Sequence, residues 1–249
     1  RVLRRVRLDD GTEAMVAAGV GAFADEIVVH EDTIVAVAPA LPADQLSLIG
    51  CSVATGVGSV TRAAHVQPGA SVAVFGCGGV GHFVVQGCRM VGAERIVAVD
   101  PSAIKREAAL RAGATEAIDP TSTDPVEAIH QLTDGRGVDA SFEVAGRIDT
   151  LEQAYVSARR GGTVTVVGFP REGQVFELDA ASIFRDAKRL IGSYYGNVRF
   201  REDFPKLVAL AAAGRLDIGA AISARFPLDR VNDAIETLRN GDVVRAVLS

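Results

Sequence analysis

The chain has 249 residues, 26 Lys and Arg against 31 Asp and Glu for a net charge of −5, and 48% hydrophobic residues with no Trp. This length can bury a sizeable core without disulfide or metal staples, which argues against disorder. The negative balance, with no basic cluster beyond Arg1 to Arg7, argues against nucleic acid as a partner.

That first run is broken by Val2, Leu3 and Val6 and reads as a strand with solvated charges. The chain opens on Arg, without an initiator Met or a signal-peptide pattern, so a piece of a longer protein is expected. The most apolar stretches, Met15 to Ala24 and Leu207 to Ala213, fall short of the roughly 18 apolar residues of a membrane span, so no membrane partner is expected. Cys51, Cys77 and Cys88 are odd in number and form no CxxC pair, which fits a reducing compartment and places the protein in the cytoplasm.

In chain order, 22–29 and 33–37 are expected as strands separated by the solvated turn His30-Glu31-Asp32, with Pro39 and Pro42 breaking the chain before a helix. From Ser71 a βαβ rhythm sets in. Strands are expected at 72–75, 96–99, 116–118, 138–142 and 163–167, because these short runs are too uniformly apolar to alternate faces. Helices are expected at 80–91, at 103–111 capped by Ser102 with Gly113 at its exit, at 126–132 after Asp124-Pro125, and at 150–159 after Asp149. A sixth strand is expected at 190–194, then a helix at 204–213, a strand at 221–226, a helix at 228–240 and a last strand at 243–248. The fold class is therefore α/β, a parallel sheet covered on both faces.

Gly76-Cys77-Gly78-Gly79-Val80-Gly81 satisfies G-x-G-x-x-G between a strand and a helix. Gly76 permits the tight turn, Gly78 lets the backbone approach a pyrophosphate and Gly81 lets helix and strand pack closely. The hexapeptide alone is weak, since it also opens methyltransferase and kinase segments. Asp100, 19 residues after Gly81 at the end of the next strand, is the carboxylate that a dinucleotide site needs for the ribose hydroxyls. The bland alternative, in which Asp100 only caps the helix, is disfavoured because Ser102 is the better cap. A carboxylate there repels a 2′-phosphate and Pro101 offers no guanidinium, so NAD is expected over NADP. Lys105 is a candidate for a ribose oxygen, or else a solvated helix lysine.

Gly50-Cys51-Ser52-Val53-Ala54-Thr55-Gly56, the run Val66 to Gly81, and Ser141-Phe142-Glu143-Val144-Ala145-Gly146 resemble the medium-chain zinc-dependent alcohol dehydrogenases, from about Ala22 to the C-terminus. The resemblance implies a doubly wound Rossmann sheet with an incomplete β-rich GroES-like catalytic domain. The implied division is 1–52 and 195–249 as parts of the catalytic domain around a dinucleotide-binding domain at 53–194. It also implies that Cys51 is the last of the catalytic zinc ligands and that Thr55 and Val80 contact the nicotinamide. Val144, Val167 and Ser193 then line the nicotinamide channel or bond the carboxamide, and Arg245 lies near the pyrophosphate. Tyr194 and Tyr195 border the substrate entrance, and strand 188–194 pairs across a two-fold axis in a homodimer.

The chain departs from that family in carrying one zinc ligand of the several needed; the remaining ligands and the four-cysteine structural zinc loop are expected in a half that is not present here. His30-Glu31, His65, His82 and His130 lack ligand spacing, and Cys77 and Cys88 read as small buried apolar residues. The expected parent is an NAD-dependent, zinc-type dehydrogenase acting on an alcohol or aldehyde, with this chain alone inactive. The alternatives are a non-catalytic NAD-binding module and a zinc-free enone or quinone reductase. A short-chain dehydrogenase would need a Tyr-x-x-x-Lys dyad, but Tyr155 and Tyr195 are followed four residues later by Arg159 and Arg199. A P-loop is also absent.

Overall fold

The computed structural model describes residues 5–15, 20–38, 40–241 and 243–249. Pro39, expected to help break the chain, and Arg1 to Arg4 lie outside the described residues. β1 (Arg5–Arg7) and β2 (Glu13–Met15) form an antiparallel hairpin whose turn is held by Asp10 Oδ1, which accepts from Thr12 N at 2.8 Å. The strands expected at 22–29 and 33–37 are not formed; among the described residues this segment holds a single 3-10 turn, Glu31–Thr33, and Phe23, Ile27 and Ile34 are exposed. A strand-prone apolar run becomes a strand only where a neighbouring strand completes the ladder.

After Pro42 the chain is helical through α1 (Ala43–Leu48), a π-turn at Ile49–Val53, α2 (Ala54–Gly58) and a second π-turn at Ser59–Ala63. The βαβ region then follows: β3 (Ser71–Phe75), α3 (Gly81–Met90), β4 (Arg95–Val99), α4 (Ala103–Ala112), β5 (Glu116–Ile118), α5 (Pro125–Leu132), β6 (Val138–Glu143), α6 (Ile148–Ser157), β7 (Ala158–Val166), α7 (Ala180–Asp186) and β8 (Arg189–Gly192). The return segment is α8 (Phe200–Ala212), β9 (Ile222–Phe226), α9 (Val231–Asn240) and β10 (Arg245–Leu248). β9 and β10 pair in parallel, apart from the main sheet.

The main sheet is parallel, in the order β5-β4-β3-β6-β7-β8. The strands are uniformly apolar because both faces are covered. Val72, Val74, Ile96, Ala98 and Phe142 pack against Val84, Val85 and Cys88 of α3 and Ala109 of α4. Ala73, Phe75, Val97, Val99 and Val164 point the other way, onto Ile129 of α5 and Leu151 and Tyr155 of α6. Full burial of each such Val, Ile or Phe contributes about 1.5–3 kcal/mol. A third apolar cluster, with Ile49, Val57, Phe83, Leu207 and Ile218, joins the helical run 43–63 to α3 and the return segment.

Several boundaries and one cap differ from the sequence expectation; β7 begins at Ala158, α9 at Val231 and β10 at Arg245. α6 begins at Ile148 and ends at Ser157, because Arg159 is drawn to Asp139 at 2.6 Å and the chain passes directly into β7. α8 starts at Phe200 rather than beside Pro205: the Asp203 carboxylate accepts from Arg199 N at 2.8 Å and from Arg62 at 2.5 Å, closing an extra first turn. Ser102 makes no side-chain cap at the head of α4; Asp100 Oδ1 instead accepts from Ser102 N at 2.8 Å. A carboxylate two residues upstream closes this turn in place of the serine hydroxyl.

Candidate coenzyme site

Strand order reverses at β3, so the crevice beyond the C-terminal ends of β3 and β6 is where a doubly wound sheet receives a dinucleotide. Gly76 leaves β3 with φ +94°, a left-handed conformation that favours glycine, and its N–H bonds the Val99 carbonyl at 2.8 Å. The chain then doubles back so tightly that a Cβ on Gly81 would overlap the Gly76 carbonyl oxygen, whereas nothing lies within 4 Å of a Cβ built on Gly78. A backbone face left open between two closed ones is a cradle for a pyrophosphate at the head of α3. Gly79 lies against the Arg245 side chain, which would stand 3.1 Å from an added Cβ, so β10 of the return segment brings a guanidinium to the loop.

Asp100 leaves β4 with 5% of its surface exposed. Its Oδ2 accepts from Cys77 N, inside the glycine loop, at 2.8 Å, while Oδ1 holds Ser102 N. Each carboxylate oxygen keeps a lone pair for a second donor, as a ribose hydroxyl would supply. The Arg106 guanidinium donates to the Asp100 main-chain oxygen at 2.7 Å and pairs with Asp119 at 2.9 Å. Lys105, half-buried in the first turn of α4, has no ion pair among the described residues.

On the other side of β3, Val144 N bonds the Phe75 carbonyl and Val167 N bonds the Glu143 carbonyl, each at 2.8 Å. Both valines are partly buried against the core. Ser193 N bonds the Val166 carbonyl at 2.8 Å. Because Ser59 Oγ donates to the Thr55 carbonyl at 2.6 Å, the 2.8 Å contact between Ser59 and Ser193 is one in which Ser193 donates. Helix α2 approaches α3 so closely that a Cβ on Gly56, the residue after Thr55, would stand 2.7 Å from the Val80 carbonyl. Cys51 is exposed on the first π-turn, and the Tyr195 hydroxyl donates to the carbonyl of Gly50 next to it.

The site residues thus gather as a glycine loop flanked by Asp100 and Arg245 on one side and by Val144, Val167 and Ser193 on the other. A family model described as zinc-binding dehydrogenase matches residues 79–213, more than half of the chain. The chain belongs to the zinc-binding dehydrogenase family. The chain is similar to a solved alcohol dehydrogenase zinc-binding domain protein from Burkholderia ambifaria, at 32% identity and a TM-score of 0.85, covering 89% of this chain and 60% of that one. Benzyl alcohol dehydrogenase from Acinetobacter calcoaceticus matches at 28% identity, TM-score 0.86, over 89% of this chain and 61% of that one. A protein from Sinorhizobium meliloti 1021, described as a zinc-binding dehydrogenase and solved bound to NADP, matches at 28% and 0.77, over 85% and 61%. The chain therefore spans about three fifths of the length of these relatives.

The two groups that the family implies fare differently. A dinucleotide fits the open loop, the carboxylate and the guanidinium just described. A zinc ion does not fit these residues alone: a catalytic site takes three protein ligands, and among the described residues no group of three or more His, Cys, Asp or Glu could hold a metal.

Sequence reasoning gave Glu143 no role, although it stands in the quoted Ser141 to Gly146 motif. The signal was a charged residue closing a strand that is otherwise buried.

Proposed function

We propose that the dehydrogenase uses NAD to move a hydride between an alcohol and the corresponding aldehyde or ketone. The observation that carries this reading is the glycine loop locked to Asp100 through Cys77 N. When bound, the nicotinamide accepts the hydride; the chain's own residues bind and orient it. On this reading Gly76, Gly78, Gly79 and Gly81 admit the pyrophosphate, Asp100 and Lys105 take the adenosine ribose, and Arg245 faces the phosphates. Thr55, Val80, Val144, Val167 and Ser193 shape the nicotinamide side. Asp100 supports NAD over NADP, because its charge opposes a 2′-phosphate and Arg106 is engaged by Asp119.

Cys51 is proposed as one thiolate of a zinc set that the described residues do not complete. The division into 1–52, 53–194 and 195–249 belongs to the same reading, as does the cytoplasm, which three free cysteines support. No helix among the described residues is long and apolar enough to cross a membrane.

Calorimetric titration tests the coenzyme assignment: NAD is expected to bind at least about tenfold tighter than NADP, a difference of about 1.4 kcal/mol. Equal affinity, or tighter NADP, overturns it. Metal analysis beside NADH formation tests the rest, with substoichiometric zinc and no alcohol-dependent turnover expected for this chain. Stoichiometric zinc with turnover would reopen the search for ligands around Cys51.

A further inference from the structure

β4 and β5 leave the sheet side by side, with Val99 in register with Ile118, so the residues that follow, Asp100 and Asp119, are neighbours at its C-terminal edge. Asp100 N bonds the Ile118 carbonyl at 3.3 Å and ties the two exits together. Asp119 is fixed by its own turn: Oδ1 accepts from Thr121 N at 2.9 Å and from Thr121 Oγ1 at 2.6 Å. Its Oδ2 faces a cation, the Arg106 guanidinium of α4, at 2.9 Å. The same guanidinium donates through Nη1 to the Asp100 main-chain oxygen at 2.7 Å. The Thr121 bonds, with the Arg106 charge added, hold the Asp119 carboxyl below its usual range, so it is ionised at neutral pH.

Arg106 is thus bonded directly to the residue proposed to hold the adenosine ribose. A guanidinium is the side chain best matched to a phosphate, through two parallel bonds. Arg106 therefore has the chemistry to receive a 2′-phosphate at the end of β4, and its pairing with Asp119 works against that. A 2′-phosphate would have to draw the guanidinium out of a charge-assisted bond, and it would arrive beside two carboxylates rather than one. The pair also straps α4 to the exit of β5, a role that needs no coenzyme and that affects NAD and NADP alike.

We infer that Asp119 is a second determinant of the choice of NAD over NADP, acting by occupying the guanidinium of Arg106 that a 2′-phosphate would need. It is a positioning residue that works through Arg106. Asp100 repels the phosphate, and Asp119 withholds its receptor. This rests on the NAD reading above and names a further residue that enforces it.

The test is the ratio of dissociation constants for NADP and NAD, measured by calorimetric titration of the whole chain. Asp119→Asn keeps an amide oxygen for Thr121 and removes the charge. It is expected to tighten NADP about tenfold and leave NAD within about twofold, since a charge-assisted bond to phosphate becomes available. Adding Arg106→Gln to that variant should cancel the gain and return the ratio to within about twofold of wild type. A ratio that Asp119→Asn leaves unmoved, or an equal loss of both coenzymes, means that the pair only straps α4 to β5 and overturns the inference. A gain that survives in the double variant overturns it too, because Arg106 is then not the receptor. If Asp119→Asn does not fold, Arg106→Gln alone decides: it leaves the Asp119 charge without its cation, so the preference for NAD should grow by about threefold, and an unmoved or smaller preference overturns the inference. Wild-type protein that binds neither dinucleotide, or that prefers NADP, overturns the NAD reading itself and this inference with it. Wild-type preference for NAD beside an equal preference in Asp119→Asn overturns this inference alone.

Discussion

Asp100 does two jobs with one carboxylate. It joins the glycine loop to the head of α4, through Cys77 N and Ser102 N, and it presents charge where a ribose is proposed to bind. Asp100→Ala should lower NAD affinity at least about tenfold, since hydrogen bonds to a charged acceptor are worth about 1.5–3 kcal/mol each, and should narrow the preference over NADP. Unchanged affinity by calorimetry would remove Asp100 from the site. His82 carries a different liability. Gln86 is oriented by Asp217, whose N–H bonds Oε1 while its carbonyl takes Nε2, each at 2.8 Å. The second Nε2 hydrogen therefore points to His82 Nε2 at 3.0 Å, leaving the ring proton on a buried Nδ1 that has no partner among the described residues. Burial pushes the His82 pKa down from 6.5 to about 4. Between those values the unfolded chain takes up a proton that the folded one refuses, so stability is complete above pH 6.5 and falls by about 3 kcal/mol towards pH 4. Urea midpoints across that window should fall less steeply in His82→Gln; an identical slope would assign the acid sensitivity to another group.

At the scale of elements, the loop between β3 and α3 separates glycines needed by the fold from one kept free for a ligand. A Cβ on Gly81 has no room beside the Gly76 carbonyl, so Gly81→Ala should displace the loop and lower stability by about 1–3 kcal/mol, with coenzyme binding lost alongside. A Cβ on Gly78 meets nothing within 4 Å, and Gly78 lies outside the left-handed region. Gly78→Ala should therefore unfold at the wild-type temperature while NAD affinity drops at least about tenfold. Calorimetric melting beside coenzyme titration checks both. Equal loss of stability in the two variants would mean that the open face of Gly78 is no ligand site.

At the scale of the whole molecule, β8 closes the sheet with an edge that pairs with no further strand among the described residues, beside exposed apolar side chains. Leu190 is 40% exposed and Phe184 91% exposed. Unpaired edges of this kind invite pairing with a second strand. We propose that strand 188–194 meets its own copy across a two-fold axis, giving a homodimer. Sedimentation at micromolar concentration should return the dimer mass, and Leu190→Lys should weaken association at least about tenfold. A wild-type monomer at that concentration would contradict this.

The βαβ region was legible in the sequence because its determinants are local. Uniformly apolar runs mark strands buried on both faces, Asp124-Pro125 starts α5 with its carboxylate on Val126 N at 2.8 Å, and the spacing of Gly76, Gly78 and Gly81 carries the turn. Tertiary structure alone decided the rest. It left 22–29 and 33–37 without strands, since an apolar run supplies no ladder partner. It joined Ser59 to Ser193, 134 residues apart, set Arg245 against Gly79, and moved the turn before α4 from Ser102 to Asp100. It also buried Glu143 in a ring of donors with no cation beside it. Contacts of this kind have no sequence period; they exist only because the strand order brings distant loops to one end of the sheet.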